Sequence, residues 1–97
     1  MKTYTICGSM RFAEQMREIA YFLETQKDCN ILQCVYCADS MKPTEKELTQ
    51  LAKAHYMKID LSDGIYIVNI DGYIGESVQK EIEYAKEHGK EIIFHCN

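Results

Sequence analysis

The sequence contains little proline, no long apolar segment and no run of basic residues. Its 97 residues include one proline and no stretch of eighteen apolar residues, which is about the length that a membrane-spanning helix needs. The eleven lysines and arginines are scattered and the net charge is −4, so we expect neither duplex nucleic acid nor a membrane as a partner. Because no charged and then apolar leader opens the sequence, a cytoplasmic location is expected.

The composition is that of a globular protein. Hydrophobic residues make up 46% of the chain and charged residues 27%, and neither an internal repeat nor a low-complexity segment is present. A chain of 97 residues is long enough for one domain with a modest core. We therefore predict a single domain over residues 1–97.

An odd number of cysteines without a secretory leader favours reduced thiols; they are Cys7, Cys29, Cys34, Cys37 and Cys96. Cys34 and Cys37 form a CxxC at the end of an apolar run, residues 31–37, that predicts a strand. A redox CxxC normally opens a helix, and a zinc site would need a second ligand pair, which His95 and Cys96 could supply. Since cysteines in strands are commonly small buried hydrophobic residues, we predict no metal and no cofactor.

Apolar runs and helical periodicity alternate along the chain. β-prone runs predict strands at residues 3–7, 31–37, 65–68 and 91–95, and the run IYIV at 65–68 is typical of a parallel strand buried on both faces. Three intervening segments carry apolar residues at helical spacing: Phe12, Met16, Ile19, Ala20 and Leu23; Leu48, Leu51, Ala52, His55 and Ile59; Val78, Ile82 and Ala85. Thr44 and Glu47 predict a capping box for the second helix, and Gly89 ends the third.

The order βαβαβαβ predicts an α/β fold. We expect one small doubly wound, flavodoxin-like or Rossmann-like domain, with a sheet of about four parallel strands and helices on both faces. If the strand order is 2-1-3-4, right-handed crossovers place the first helix alone on one face of the sheet. The part of that face over strands three and four then lacks a helix, so we predict a homo-oligomer, most simply a dimer.

In such a sheet the ligand cleft lies beyond the carboxyl ends of the first and third strands. We expect the segments CGSMR (7–11) and NIDGYIGES (69–77) to meet there, and their glycines allow close turns. Backbone amides at the start of a helix can bind an anion, and Arg11 can bind a phosphate. Ser77 is a candidate helix N-cap. Tyr73 could stack on a base. The candidate substrate-binding residues are Gly8, Ser9, Met10, Arg11, Asn69, Asp71, Gly72, Tyr73, Gly75 and Ser77.

Glu81 is the candidate catalytic carboxylate. It lies in the first turns of the third helix, whose N-terminus points at the cleft, where the helix dipole stabilises a carboxylate by about 0.3–1 kcal/mol. An ionised carboxylate suits nucleophilic attack on a sugar carbon, because the transition state is oxocarbenium-like. The alternative is that Glu81, like Glu76, Glu83 and Glu87, belongs to a solvated helix surface.

The segments ICGSMR (6–11), KIDLSDGIYIVN (58–69) and GYIGESVQKEIEYA (72–85) resemble the nucleoside 2-deoxyribosyltransferase superfamily, including its 2'-deoxynucleoside 5'-monophosphate N-glycosidases. The resemblance covers nearly the whole chain in order. It implies cleavage or transfer of an N-glycosidic bond through a covalent glycosyl-Glu81 intermediate. It also implies a 5'-phosphate near Gly8, Ser9 and Arg11, with Gly75 and Ser77 in the loop before the nucleophile. Asp63 would organise the junction between helix and strand.

At two positions the chain differs from what that family often has. Where the family carries a tyrosine on the first strand near the nucleophile, this chain has Thr5, and Tyr4 points to the other face. Where the family carries an aspartate eight residues before Asp63, this chain has His55. His55 is then either a core residue or a replacement acid that protonates the leaving base or holds a sugar hydroxyl.

Three functions remain open. The first is an N-glycosidase or transferase acting on a nucleoside or nucleoside 5'-monophosphate, with Glu81 and His55 as catalytic residues. The second is a nucleotide-binding sensor or sequestering protein with the same cleft and little or no turnover. The third is an interaction domain that binds no nucleotide.

Overall fold

The computed structural model describes residues 1–38 and 40–96. Strands and α-helices alternate strictly in this part of the chain: β1 (Lys2–Gly8), α1 (Ala13–Gln26), β2 (Cys29–Leu32), α2 (Glu45–Leu61), β3 (Gly64–Val68), α3 (Glu76–Glu87) and β4 (Glu91–Phe94). Short 3-10 turns at Met10–Phe12 and Ile70–Gly72 precede α1 and α3. The four strands form one parallel sheet in the order β2-β1-β3-β4. The predicted doubly wound α/β fold is confirmed.

Alternate residues of β1 pack on opposite faces of the sheet. Tyr4 and Ile6 join a cluster with Met16, Ala20 and Leu23 of α1. Cys7 joins a second cluster that contains Ile59 of α2 and Val78 and Ala85 of α3. Helix α1 therefore lies alone on one face and α2 and α3 share the other, as right-handed crossovers require.

Helix α1 packs over β1 and β2 and leaves the β3–β4 side of its face more open. Tyr66 and Ile93, paired across β3 and β4, are only half-buried there. The Tyr66 hydroxyl lies 2.8 Å from Nδ1 of the exposed His95. This is the surface from which a homodimer is expected, and the dimer remains a prediction.

Helix α2 begins with the predicted capping box. The Thr44 hydroxyl accepts a hydrogen bond from the Glu47 amide at 3.1 Å, and the Glu47 carboxylate accepts one from the Thr44 amide at 2.9 Å. The apolar stripe of α2 lies on one side, but only Ile59 at its end is buried, whereas Leu48 is 52% exposed. The first half of α2 thus extends past the core.

Strand β2 is shorter than the predicted strand over residues 31–37. It pairs with β1 from Lys2↔Cys29 to Thr5↔Leu32 and ends there. The chain then leaves the sheet, and the Gln33 carbonyl accepts a hydrogen bond from Lys58 Nζ at 2.9 Å. Cys34 and Cys37 therefore lie in a loop rather than in a strand.

Asp63 lies at the opposite end of the sheet from the cleft. Its carboxylate accepts a hydrogen bond from the Thr3 amide at 2.8 Å, and its own amide donates to the Thr3 carbonyl at 2.8 Å. These bonds join the end of α2 to the start of the sheet. None of the helices in the described residues is long and apolar enough to cross a membrane.

Candidate active site

A cleft of about 440 Å³ opens beyond the carboxyl ends of β1 and β3. Eight of the predicted site residues line it: Gly8, Ser9, Met10, His55, Tyr73, Gly75, Ser77 and Glu81. The other four are not among its lining residues: Arg11, Asn69, Asp71 and Gly72. The glycine-bearing turns after β1 and β3 therefore meet at the cleft, as the strand order requires.

Glu81, His55 and Cys7 converge at one end of this cleft. His55 Nε2 lies 3.4 Å from a Glu81 carboxylate oxygen and 3.4 Å from Cys7 Sγ. The side chains of His55 and Glu81 are 11% and 15% exposed. The other ring nitrogen, His55 Nδ1, is buried and has no hydrogen-bond partner among the described residues. Glu81 is thus part of a buried polar cluster and not a solvated surface charge.

Cys7 is the member of this cluster that the sequence prediction missed. It is 1% exposed and belongs to the core between the sheet and helices α2 and α3. Burial, and next the negative charge of Glu81, raise the pKa of Cys7 well above its ordinary value, so that the thiol is neutral. The sequence feature that could have identified Cys7 as a site residue is its position directly before Gly8, at the end of the strand that borders the cleft.

Thr5 is not the first-strand residue beside Glu81, contrary to the sequence prediction. Its hydroxyl lies 2.6 Å from the Ser62 hydroxyl and is fully buried. Since Ser62 donates its proton to the Lys58 carbonyl at 2.7 Å, Thr5 must be the donor to Ser62. Side chains alternate along a strand, and Cys7, two residues further on the same face, is the one that reaches Glu81.

Helix α3 begins two residues further from Glu81 than the sequence suggested. Its N-cap is Gly75, not Ser77, and no side chain caps its first amides. Ser77 is the second helical residue and Glu81 the sixth, so Glu76 is the acid of the first turn. The dipole effect falls off within one turn, and the contact with His55, rather than the dipole, is what holds Glu81. The open helix N-terminus faces the cleft through Glu76 and Ser77.

Arg11 stacks on Tyr73. Its guanidinium carbon lies 3.9 Å from the centre of the Tyr73 ring, and the Phe12 ring meets Tyr73 edge-on at 5.9 Å. A cation over an aromatic face contributes about 0.5–1 kcal/mol at an exposed site. Arg11 thereby ties the turn after β1 to the turn after β3 and positions Tyr73 at the cleft.

Three other predicted site residues have structural roles. Asn69 is buried, and its amide group exchanges two hydrogen bonds with the backbone of Cys96, at 2.8 and 2.9 Å. Asp71 and Gly72 form an exposed turn with φ of 55° and 80°, which suits glycine at the second position. Gly8 lines the cleft, but a Cβ there would lie 2.9 Å from Met16 Sδ, so its small size also serves core packing.

The opposite wall of the cleft is largely apolar. It is made by Leu48, Leu51 and Ala52 of α2 and by Val35 and the two cysteines of the loop after β2. Lys58, which also lines the cleft, holds that loop through its bond to the Gln33 carbonyl. The sequence showed the α2 stripe but could not show that its first half borders a cavity.

The cleft therefore combines a carboxylate paired with an imidazole, an uncapped helix N-terminus and an apolar wall with an aromatic ring. These groups can bind a ligand that carries an anionic end and a flat apolar end. Comparisons of the chain with protein-family models, with curated proteins and with solved structures gave no significant match.

Proposed function

We propose that the protein cleaves or transfers the N-glycosidic bond of a nucleoside 5'-monophosphate or nucleoside, with Glu81 as the nucleophile. The observation that carries this proposal is the position of Glu81. A largely buried carboxylate lies 3.4 Å from an imidazole nitrogen, at the wall of a cleft that also holds a helix N-terminus. The resemblance of residues 6–11, 58–69 and 72–85 to nucleoside 2-deoxyribosyltransferases supports the same assignment.

The reaction proceeds in two steps. A Glu81 oxygen attacks the anomeric carbon, the bond from that carbon to the base nitrogen breaks, and its electron pair leaves with the base. His55 Nε2 donates the proton that the departing base takes up. Water, or a second base in transfer, then attacks the anomeric carbon and releases the Glu81 carboxylate, while His55 takes the proton from the attacking group.

The cleft suits a nucleotide in size and in the distribution of its groups. Its volume of about 440 Å³ lies within the range of about 300–1,000 Å³ typical of small-molecule sites. The 5'-phosphate binds at the uncapped N-terminus of α3 and beside the turn at Gly8 and Ser9, both of which line the cleft. The base lies between Tyr73 and the apolar wall that contains Leu48 and Leu51.

A nucleotide-binding protein without turnover is the second candidate. The observation that favours it is the identity of the β1 residue beside Glu81. Cys7 contributes a neutral thiol, which is a weak hydrogen-bond donor, and the Thr5 hydroxyl is committed to Ser62. Glu81 then has His55 as its one strong polar neighbour among the contacts described, and the cleft would bind a nucleotide without cleaving it.

Release of the free base from a panel of nucleosides and nucleoside monophosphates, followed by chromatography, tests the proposal. The wild type is expected to release base, and Glu81→Gln is expected to release none, because the amide cannot act as nucleophile. Glu83→Gln is the matched control, since Glu83 is exposed on the same helix. Mass spectrometry of the wild type stopped during turnover is expected to show one glycosyl group on Glu81.

The two candidates give different outcomes in this experiment. Nucleotide binding by the wild type, seen as a thermal shift, without any release of base would contradict the enzyme and support the binding protein. Base release that persists in Glu81→Gln would remove Glu81 as nucleophile. If the wild type neither binds a nucleotide nor releases a base, both candidates are contradicted.

A further inference from the structure

One nitrogen atom of His55 faces two groups at the same distance. His55 Nε2 lies 3.4 Å from Cys7 Sγ and 3.4 Å from a Glu81 oxygen. A ring nitrogen carries either a proton or a lone pair, so it cannot donate to the carboxylate and accept from the thiol at the same time. The Cys7 thiol has one long alternative contact, to the Thr5 carbonyl at 3.8 Å, and His55 Nε2 can serve only one of its two neighbours at a time.

A single cation between the three groups would satisfy all of them. Zinc binds thiolate at about 2.3 Å and imidazole or carboxylate at about 2.0–2.2 Å, so tetrahedral angles place a sulfur and a nitrogen ligand about 3.5 Å apart and a nitrogen and an oxygen ligand about 3.4 Å apart. The observed separations from Nε2 are 3.4 Å to sulfur and 3.4 Å to oxygen. The three ligand atoms all lie within 4.8 Å of one another.

We propose that Cys7, His55 and Glu81 bind one divalent cation of the zinc class. A thiolate with an imidazole and a carboxylate favours Zn²⁺ or Co²⁺ over Mg²⁺ and Ca²⁺, which prefer oxygen ligands only. The ligands come from β1, α2 and α3, so the folded core holds them in place. On binding, the Cys7 thiol releases its proton to solvent.

Three protein ligands leave a fourth position on the ion. His55 and Glu81 both line the cleft, so that position opens into the cleft and takes a water molecule or a donor atom of a ligand. His55 Nδ1 has no hydrogen-bond partner among the described residues, and loss of such a partner lowers metal affinity by about 10–100-fold. We therefore expect a site weaker than a structural zinc site and reversible by chelators.

The cation site does not require that the protein cleave a nucleotide. A cation on Glu81 would occupy the carboxylate that attacks the sugar carbon, so the two uses of the cluster exclude each other at any one moment. The site is also distinct from the CxxC at Cys34 and Cys37. Among the described residues, the one group of three or more potential ligands that lie close together is Cys7, His55 and Glu81.

Cobalt titration of the reduced, chelator-treated full chain tests the proposal by spectroscopy. We expect one Co²⁺ per chain, a sulfur-to-cobalt charge-transfer band in the near ultraviolet and tetrahedral bands in the visible, all displaced by one equivalent of Zn²⁺. Cys7→Ala is expected to lose the charge-transfer band. Glu81→Gln is expected to keep that band and to bind at least about 10-fold more weakly, because the thiolate remains and one anionic ligand is gone.

The other cysteines provide the matched control. The double variant Cys34→Ser, Cys37→Ser is expected to bind Co²⁺ with the same spectrum and affinity as the wild type. No binding by the wild type, or a charge-transfer band that survives in Cys7→Ala and disappears in the double variant, would overturn the proposal. If Cys7→Ala does not fold by circular dichroism, His55→Gln takes its place, with at least about a 10-fold loss of affinity expected.

Discussion

Because the Cys7 thiol is buried, the protein is expected to lose stability at alkaline pH. Cys7 is 1% exposed, and burial and then the charge of Glu81 raise its pKa well above the ordinary value of about 8.5 that the unfolded chain has. Above about pH 8.5 the unfolded state loses the thiol proton while the native state retains it. Because the native state then binds more protons, the free energy of unfolding falls as the pH rises.

The size of this effect follows from the difference in protonation. With the native thiol still protonated, the loss in free energy of unfolding between pH 7 and pH 10 is about 2 kcal/mol, and its slope approaches about 1.4 kcal/mol per pH unit. Cys7→Ala has no proton to lose at this site. The cavity left by the missing sulfur lowers the stability of Cys7→Ala by an amount that does not vary with pH.

Urea unfolding of the wild type and Cys7→Ala from pH 7 to pH 10, with reductant and chelator present, measures the effect. The stability difference between the two proteins is expected to shift by about 2 kcal/mol in favour of the variant across this range. Cys29→Ala is the control and should follow the wild type. Tyr4, whose pKa is raised to about 12 by burial and by its bond to Glu91, is present in all three proteins and cancels. A constant difference from pH 7 to pH 10 would refute the reasoning, because the native thiol would then ionise normally.

Three further substitutions test the packing around the cleft. Thr5→Val removes the donor to the buried Ser62 hydroxyl and is expected to cost about 1–2 kcal/mol in urea unfolding, with any base release unchanged, because Thr5 does not reach the cleft. A large loss of activity at unchanged stability would contradict that assignment. Gly8→Ala places a methyl group 2.9 Å from Met16 Sδ and is expected to lower the free energy of unfolding by about 1–3 kcal/mol. Gly75→Ala is expected to lower it less, because the nearest atom to the added methyl group is 3.6 Å away. The reverse order of stabilities in urea unfolding would be inconsistent with the packing described.

Local signals in the sequence predicted most of the secondary structure. The capping box of Thr44 and Glu47 is formed by neighbouring residues, and it lies where it was predicted. Strand β2 was predicted too long because its apolar run continues to Cys37, whereas its end is set by pairing with β1, which stops at Leu32. Apolar periodicity does not reveal where a pairing partner ends.

The candidate site was predicted in part. Glu81 and His55 do border the cleft, and the strand order explains why the turns after β1 and β3 meet there. Arg11 was expected to reach a phosphate but stacks on Tyr73, because the choice between these partners depends on how two loops pack. Cys7 was not among the predicted site residues, since nothing near it in the sequence places His55 or Glu81 beside it.

By itself, the sequence determined the alternation of strands and helices, the parallel sheet and the end of the sheet at which the cleft opens. These follow from side-chain periodicity, from caps made between near neighbours and from the handedness of crossovers. Only the tertiary structure decided which residues share a site. Cys7 and His55 are 48 residues apart in sequence, yet their side chains lie 3.4 Å apart, because the packing of α2 and α3 on the sheet sets that distance.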